Sequence, residues 1–331
     1  MSYGNYFLPS ERLTDSGAER RVGVEIELSG IDLPTMAAAL KLHFGGDIRR
    51  VSSYEMRLED TEFGSFGIEI DSQMIKWMGR ELVKVDHPLV GLQLRATDAM
   101  GLLMMNVVPG EVVTPPLPLS KLPDLDPAIA SLREAGAKGT HASPWYAFGV
   151  HFNVELPHID AATITAYMKA FVILNDWLIG HEEVDITRRI PPYINPFPPA
   201  YAQKLSNPEY WPDLTGLIDD YLEDNPTRNR VLDMLPFFHY LDAERVTSIV
   251  DDPLVSGRPT LHYRLPNSEI DDPGWSLHQA WNDWMQVEAL ANDAERLERW
   301  SYRYWLYLQQ PMKWPFIDPW LKQVQACLVD L

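Results

Sequence analysis

The chain has 331 residues, 46% hydrophobic and 23% charged, enough for one large or two ordinary domains with a sizeable core. Its formal net charge is −19, from 47 acidic against 28 basic residues, and no Lys/Arg-rich run relieves it, which argues against nucleic acid or an anionic membrane as the main partner. The single cysteine, Cys327, excludes a disulfide framework and a thiolate metal cluster.

No apolar run is long enough to span a membrane, and the polar start MSYGNYFLPSERLTDSG has no apolar signal core, so a cytoplasmic protein is expected. Residues 1–19 read as a loose lead-in. A strand follows over Arg21–Leu28. Asp32 or Thr35 can cap a helix over Met36–Phe44 that Gly45-Gly46 ends. Glu55–Glu59 and Phe66–Asp71 read as paired strands joined by DTEFGS. LLMMNVVPGEVVTPP is an extended segment stopped by its prolines, with the Met/Leu run at 102–105 assigned to the core. KLPDLDPAIASLREAG holds a short helix, AFGVHFNVEL a strand, and Asp160 caps a long helix over Ala161–Ile179.

Residues 190–212, rich in Pro, Asn and Tyr, read as a long ordered loop or lid. Helices are expected over Leu214–Leu222 and Arg228–Leu241, a strand within RPTLHYRLPNSEI, and a helical tail over Ser276–Leu308; the cluster of Trp275, Trp281 and Trp284 is assigned to helix packing. Strands come early and helices late, the pattern of an α+β fold with a largely antiparallel sheet.

Side chains alternate along a strand with period two. In the first strand Val22, Val24, Ile26 and Leu28 share one face, and Glu25 and Glu27 share the other. Taken alone, that is most often a half-solvated strand. The other strands repeat the pattern with the same chemistry: His151, Asn153 and Glu155 opposite Val150, Phe152 and Val154; His262 and Arg264 opposite Leu261, Tyr263 and Leu265; Glu69 and Asp71 opposite Phe66, Ile68 and Ile70; and Glu111 opposite Val112. A solvated face normally mixes Lys, Thr, Ser and Arg. Carboxylates two apart repel, and a cation relieves them; hard divalent ions take oxygen ligands with an occasional imidazole. Arg264 on the same face offers a planar fork suited to phosphate or carboxylate. Metal and arginine together indicate a phosphate-handling site, most simply nucleotide with Mg²⁺. Two carboxylates acting as glycosidase acid and base fit poorly, since same-face neighbours on one strand do not flank a scissile bond.

Five segments, in this order, resemble the amidoligases of the glutamine synthetase-like fold, the carboxylate–amine ligase superfamily: VGVEIEL, GEVVTPPLP, GVHFNVE, TRNRVLDMLPFFHYLD and LHYRLPNSEI. They run from residue 20 to about 275. The resemblance implies a curved antiparallel sheet with helices packed behind it, and one catalytic domain over residues 20–331 whose helical C-terminal region begins near 275. It implies that Glu25, Glu27, Glu111 and His151 bind Mg²⁺, two or more ions in all. Asn153 would place nucleotide or substrate, and Arg228, Arg230 and Arg264 would hold phosphates or the substrate carboxylate, with Arg264 and Asn153 at the reacting groups. One position departs from the pattern: Glu-x-Arg on the last strand is here His262-x-Arg264, so a metal ligand is missing or comes from elsewhere, for example Glu69 or Asp71.

The implied chemistry is ATP-dependent amide formation through an acyl phosphate, joining a small-molecule or peptide carboxylate to an amine. The metal and arginines would act by positioning and electrostatics, with little covalent work from the protein. Two rival readings keep the same fold: a non-catalytic binding or scaffold protein, and a phosphotransferase. The loops IPPYINPFPPAY and GTHASPWY are expected to choose the substrates.

Overall fold

The computed structural model describes residues 5–70, 110–140, 148–181, 195–310 and 319–329, to which every structural statement below refers. Nine strands form one open antiparallel sheet: β1 Arg21–Leu28, β2 Asp47–Arg50, β3 Glu55–Thr61, β4 Gly64–Ile70, β5 Gly110–Val113, β6 Leu117–Pro118, β7 Val150–Glu155, β8 Leu232–Asp233 and β9 Thr260–Tyr263. Their spatial order is β2-β3-β4-β5-β1-β7-β9-β8, with β6 beside the start of β1. β1 is therefore central, with β5 on one side and β7 on the other.

The alternation expected of β1 holds on its apolar side: Val22, Val24, Ile26 and Leu28 are all buried. Helices cover that side. α1 (Leu33–Phe44) lies over β2–β4, with Phe44 stacked on Phe66 at 4.7 Å. Asp32 caps it by accepting the Thr35 N–H at 2.9 Å, and Gly45, at φ 65°, ends it. α1 approaches β5 so closely that a Cβ on Gly110 would lie 2.5 Å from Met36 Cε. The short α2 (Asp126–Glu134) packs beside it.

Behind the other half of the sheet lies α3 (Ala161–His181), which is apolar nearly all round and correspondingly buried. Asp160 accepts the Thr163 N–H at its start. α8 (His278–Ala291) packs against α3, and together they surround an aromatic cluster: Phe152 and Tyr263 from the sheet, Phe171 from α3, and Trp281 and Trp284 from α8, with ring centroids 5.1–6.5 Å apart at the paired contacts. The remaining helices are α4 (Pro199–Ser206), α5 (Leu214–Asp224), α6 (Leu235–Leu241), α7 (Ala243–Thr247), α9 (Ala294–Leu308) and α10 (Pro319–Val324). None of the described helices is long and apolar enough to cross a membrane.

The structure corrects several local expectations. Residues 228–241 are not one helix: the chain runs irregularly to β8 and turns into α6 only at Leu235. Pro236 explains the break, because proline fits the first turn of a helix but not its interior. The stretch expected as a continuous loop to residue 212 contains α4, which Pro199 opens and a good helix-forming run continues. The tail is two helices, divided where Asp293 caps α9 by accepting the Arg296 N–H. β2, an exposed edge strand, was not anticipated.

From Asn5 onward the lead-in is pinned down. The Phe7 N–H donates to Asn282, Trp281 Nε1 donates to the Phe7 carbonyl, and Tyr6 donates to Asp126. Asp71, the 102–105 run and most of GTHASPWY lie outside the described residues.

Candidate functional site

The second face of the sheet carries mostly polar side chains: Glu25, His151, Asn153, His262 and Asp233 at its centre are buried, and Glu27, Glu55, Glu69 and Glu111 are partly buried. Ladder register places them in rows. Glu25 on β1 lies opposite His151 on β7; one row on, Asn153 lies opposite His262 on β9, which lies opposite Asp233 on β8. On the other flank Glu55, Glu69, Glu111 and Glu27 stand directly opposite one another across β3, β4, β5 and β1. Like charges directly opposite are destabilising.

Hydrogen bonds link the centre of this face. Glu25 Oε2 lies 2.8 Å from His151 Nδ1, and Glu25 Oε1 accepts from Asn153 Nδ2 at 2.8 Å and from Arg258 Nη1 at 3.2 Å. Asn153 Oδ1 lies 2.8 Å from His262 Nδ1. Because the Asn153 amide nitrogen donates to Glu25, its oxygen must accept, so His262 carries its proton on Nδ1 and a lone pair on Nε2. Glu27 Oε2 accepts the Gly149 N–H at 2.5 Å, while its Oε1 lies 4.0 Å from His151 Nε2.

The same atoms define two potential cation positions. Glu25, His151 and His262 form one group and Glu27, Glu111 and His151 the other, each with its ligand atoms within 4.8 Å of one another. Two bonds of about 2.1 Å end to end span about 4.2 Å, so one ion can touch both Glu27 Oε1 and His151 Nε2 across their 4.0 Å gap. The donor set of two carboxylates and an imidazole fits a divalent cation. His151 stands between the groups, with Nδ1 beside Glu25 and Nε2 toward Glu27, and its one lone pair can serve a single ion at a time.

Burial by itself would raise the Glu25 carboxyl. The neighbouring His262, the His151 hydrogen bond and charge, and Arg258 more than offset it and hold the group well below the usual carboxylate range. His262 is pushed well below its usual value by burial, aided by Arg258 and Arg264 against the pull of Glu25. It is a neutral imidazole at pH 7.

Beyond His262 the charge reverses. Arg228, Arg258 and Arg264 all act on buried Asp233, whose carboxyl burial raises to about 6 despite them. Arg228 also contacts Asp252 at 3.7 Å. Arg264 Nη1 donates to the Arg228 carbonyl at 2.9 Å and its backbone N–H to the Val231 carbonyl, which fixes the segment before β8 against the end of β9. A group of three guanidiniums around one carboxylate is suited to an anion. Arg230 has a different setting: it donates to the Pro196 and Asp224 carbonyls, tying the chain before α4 to the end of α5.

Of the residues singled out from sequence, Glu25, Glu27, Glu111, His151 and Asn153 thus come together, with Arg264 and Arg228 at the adjoining end. Arg258 was missed. It sits in the SGRPT segment ahead of β9, where no periodicity marks a face; its only sequence signal is an arginine between Gly and Pro close to the strand. His262, read from sequence as a departure, is a full member of the central network.

A family model described as "Putative amidoligase enzyme" matches residues 18–286, which is most of the chain and includes every residue of both cation groups and the arginine group. The chain belongs to this amidoligase family. No curated protein matches it.

Proposed function

We propose that the protein is an ATP- and Mg²⁺-dependent carboxylate–amine ligase of the glutamine synthetase-like fold, acting in the cytoplasm with residues 20–331 as its catalytic unit. The observation that carries the reading is the division of one partly buried sheet face into a carboxylate–imidazole half and an arginine half. Joining an acid to an amine needs both. A carboxylate is inert to amines until its oxygen attacks the γ-phosphorus of ATP, with ADP leaving. The amine nitrogen then attacks the acyl carbon, phosphate leaves with the C–O bond, and the nitrogen loses a proton.

Glu27, Glu111 and His151, together with Glu25 and His262, would hold the divalent ions, which on binding neutralise the triphosphate and the charge developing on the transferring group. Arg228, Arg258 and Arg264 would hold the phosphoryl oxygens or the substrate carboxylate through bidentate bonds. Asn153 keeps Glu25 and His262 in register, so its role is positioning. Arg230, engaged with two carbonyls, supports the same segment from outside the arginine group.

The test is ADP release by the full chain with Mg²⁺, a panel of amino acids and short peptides, and hydroxylamine as a general amine acceptor. The reading expects ADP formation that requires a carboxylate, with an acid hydroxamate as product. ADP release without hydroxamate, or phosphate transfer to the acceptor, would favour the phosphotransferase.

A further inference from the structure

The family resemblance leads one to expect a glutamate where this chain has His262, and the structure puts that imidazole in a cation position instead of leaving a gap. We propose that the Glu25–His151–His262 group binds a transition-metal ion such as Zn²⁺ in preference to Mg²⁺, while the Glu27–Glu111 position remains oxygen-rich. The inference rests on the reading that this face holds cations and specifies which cation goes where.

The geometry supports three ligands on one ion. His151 Nδ1, which donates to Glu25 Oε2 at 2.8 Å in the metal-free chain, would give up that proton and carry it on Nε2 instead, so that Nδ1 and Oε2 face one ion. His262 has its proton fixed on Nδ1 by Asn153, so its Nε2 lone pair is available. The two rings meet edge to face with centroids 5.2 Å apart, so they can approach one ion from different directions. One ligand atom from each of the three residues lies within 4.8 Å of the others.

Donor chemistry then decides the ion. Two imidazole nitrogens and one carboxylate suit Zn²⁺, Fe²⁺ or Co²⁺, whereas Mg²⁺ demands oxygen and gives up water reluctantly. A glutamate at 262 would turn the same group into two carboxylates and one imidazole, a set far more favourable to Mg²⁺. The nearby Arg258, paired with Glu25 at 3.2 Å, adds positive charge beside the position. A neutral imidazole therefore brings no excess negative charge of its own, and donor softness sets the preference.

The experiment uses the metal-free full-length chain. Equilibrium dialysis against Zn²⁺ with about a hundredfold excess of Mg²⁺, followed by elemental analysis, should retain one Zn²⁺ per chain. In His262→Glu the preference for Zn²⁺ over Mg²⁺ should fall at least tenfold. The ¹¹³Cd spectrum of the ¹⁵N-labelled parent protein should show coupling to two imidazole nitrogens, a result that needs no variant to fold. Equal Zn²⁺ retention by parent and His262→Glu, or bound Cd²⁺ coupled to fewer than two imidazoles, overturns the assignment while leaving cation binding intact. A chain that retains no divalent ion overturns both this inference and the metal reading beneath the ligase.

Discussion

Glu25 and His151 are cross-strand partners on β1 and β7, and Oε2 of the first lies 2.8 Å from Nδ1 of the second. The pair joins two descriptions of the site. The carboxylate is bound on its other oxygen to Asn153 and Arg258, which reach toward the arginine group. The imidazole turns its far nitrogen toward Glu27. Changes at either residue should therefore be felt at both ends of the face.

Arg258 is the sharpest case. Arg258→Lys keeps a positive charge near Glu25 but loses the planar fork. The expected result is a loss of about 10²–10³ in kcat/KM, the scale seen when one preorganised donor is removed. Melting temperature should change little, because the side chain is 39% exposed. Steady-state kinetics beside a thermal melt check this; unchanged kcat/KM would make Arg258 a merely structural partner of Glu25.

A second prediction concerns the buried tie between the start of β1 and α8. Arg20 makes a bidentate pair with Glu288 at 2.7 and 3.1 Å, and Glu288 also accepts from Tyr167 at 2.5 Å and Trp284 at 3.2 Å. Both charges are almost fully buried. Arg20→Met strands the Glu288 charge and should cost about 3–5 kcal/mol. Arg20→Met with Glu288→Leu removes both charges and should recover much of that, as denaturant unfolding of the single and double variants would show. A double variant as unstable as the single one would contradict the account.

The third prediction is a pH dependence. Burial raises Asp126 to about 6, while its Oδ1 accepts from Tyr6 at 2.7 Å. A carboxyl raised in the folded chain holds its proton more tightly there than when unfolded. Its stabilisation is complete below the unfolded value of about 4 and is lost as pH rises through about 6. Asp126→Asn, which resembles the protonated form, should therefore leave stability near pH 4 almost unchanged and raise it above pH 6, by at most about 3 kcal/mol. Melts at pH 4 and pH 7.5 test the sign. A variant less stable than the parent at pH 7.5 would show that the charge is needed.

How far the sequence foretells this arrangement follows from periodicity. β1, β7 and β9 alternate with period two, so the faces carrying Glu25, Glu27, His151, Asn153 and His262 are legible in the sequence alone. Their neighbours in space are not, because register depends on long-range pairing: nothing local says that Glu27 faces Glu111 and that Glu111 faces Glu69 in turn. β8 has two residues, too few to show a period, and so Leu232–Asp233 was absorbed into a helix. Arg258 lies in an irregular segment, where side-chain direction has no pattern to read. The centre of the polar face also proved buried. Alternation reports which residues share a side, not what covers it.

The most direct test of the account is thermal melting of the parent and a Glu27→Gln, Glu111→Gln variant, with and without Mg²⁺ and ATP. These two glutamates are directly opposed on adjacent strands, and each protein is read against its own melt without ions. With Mg²⁺ and ATP the parent should gain by mass action, about 2.7 kcal/mol at a hundredfold excess over the dissociation constant, and the variant should gain little. A parent that shows no shift with Mg²⁺ and ATP, or a variant that shifts as much as the parent, would contradict the claim that this face is an ATP–metal site.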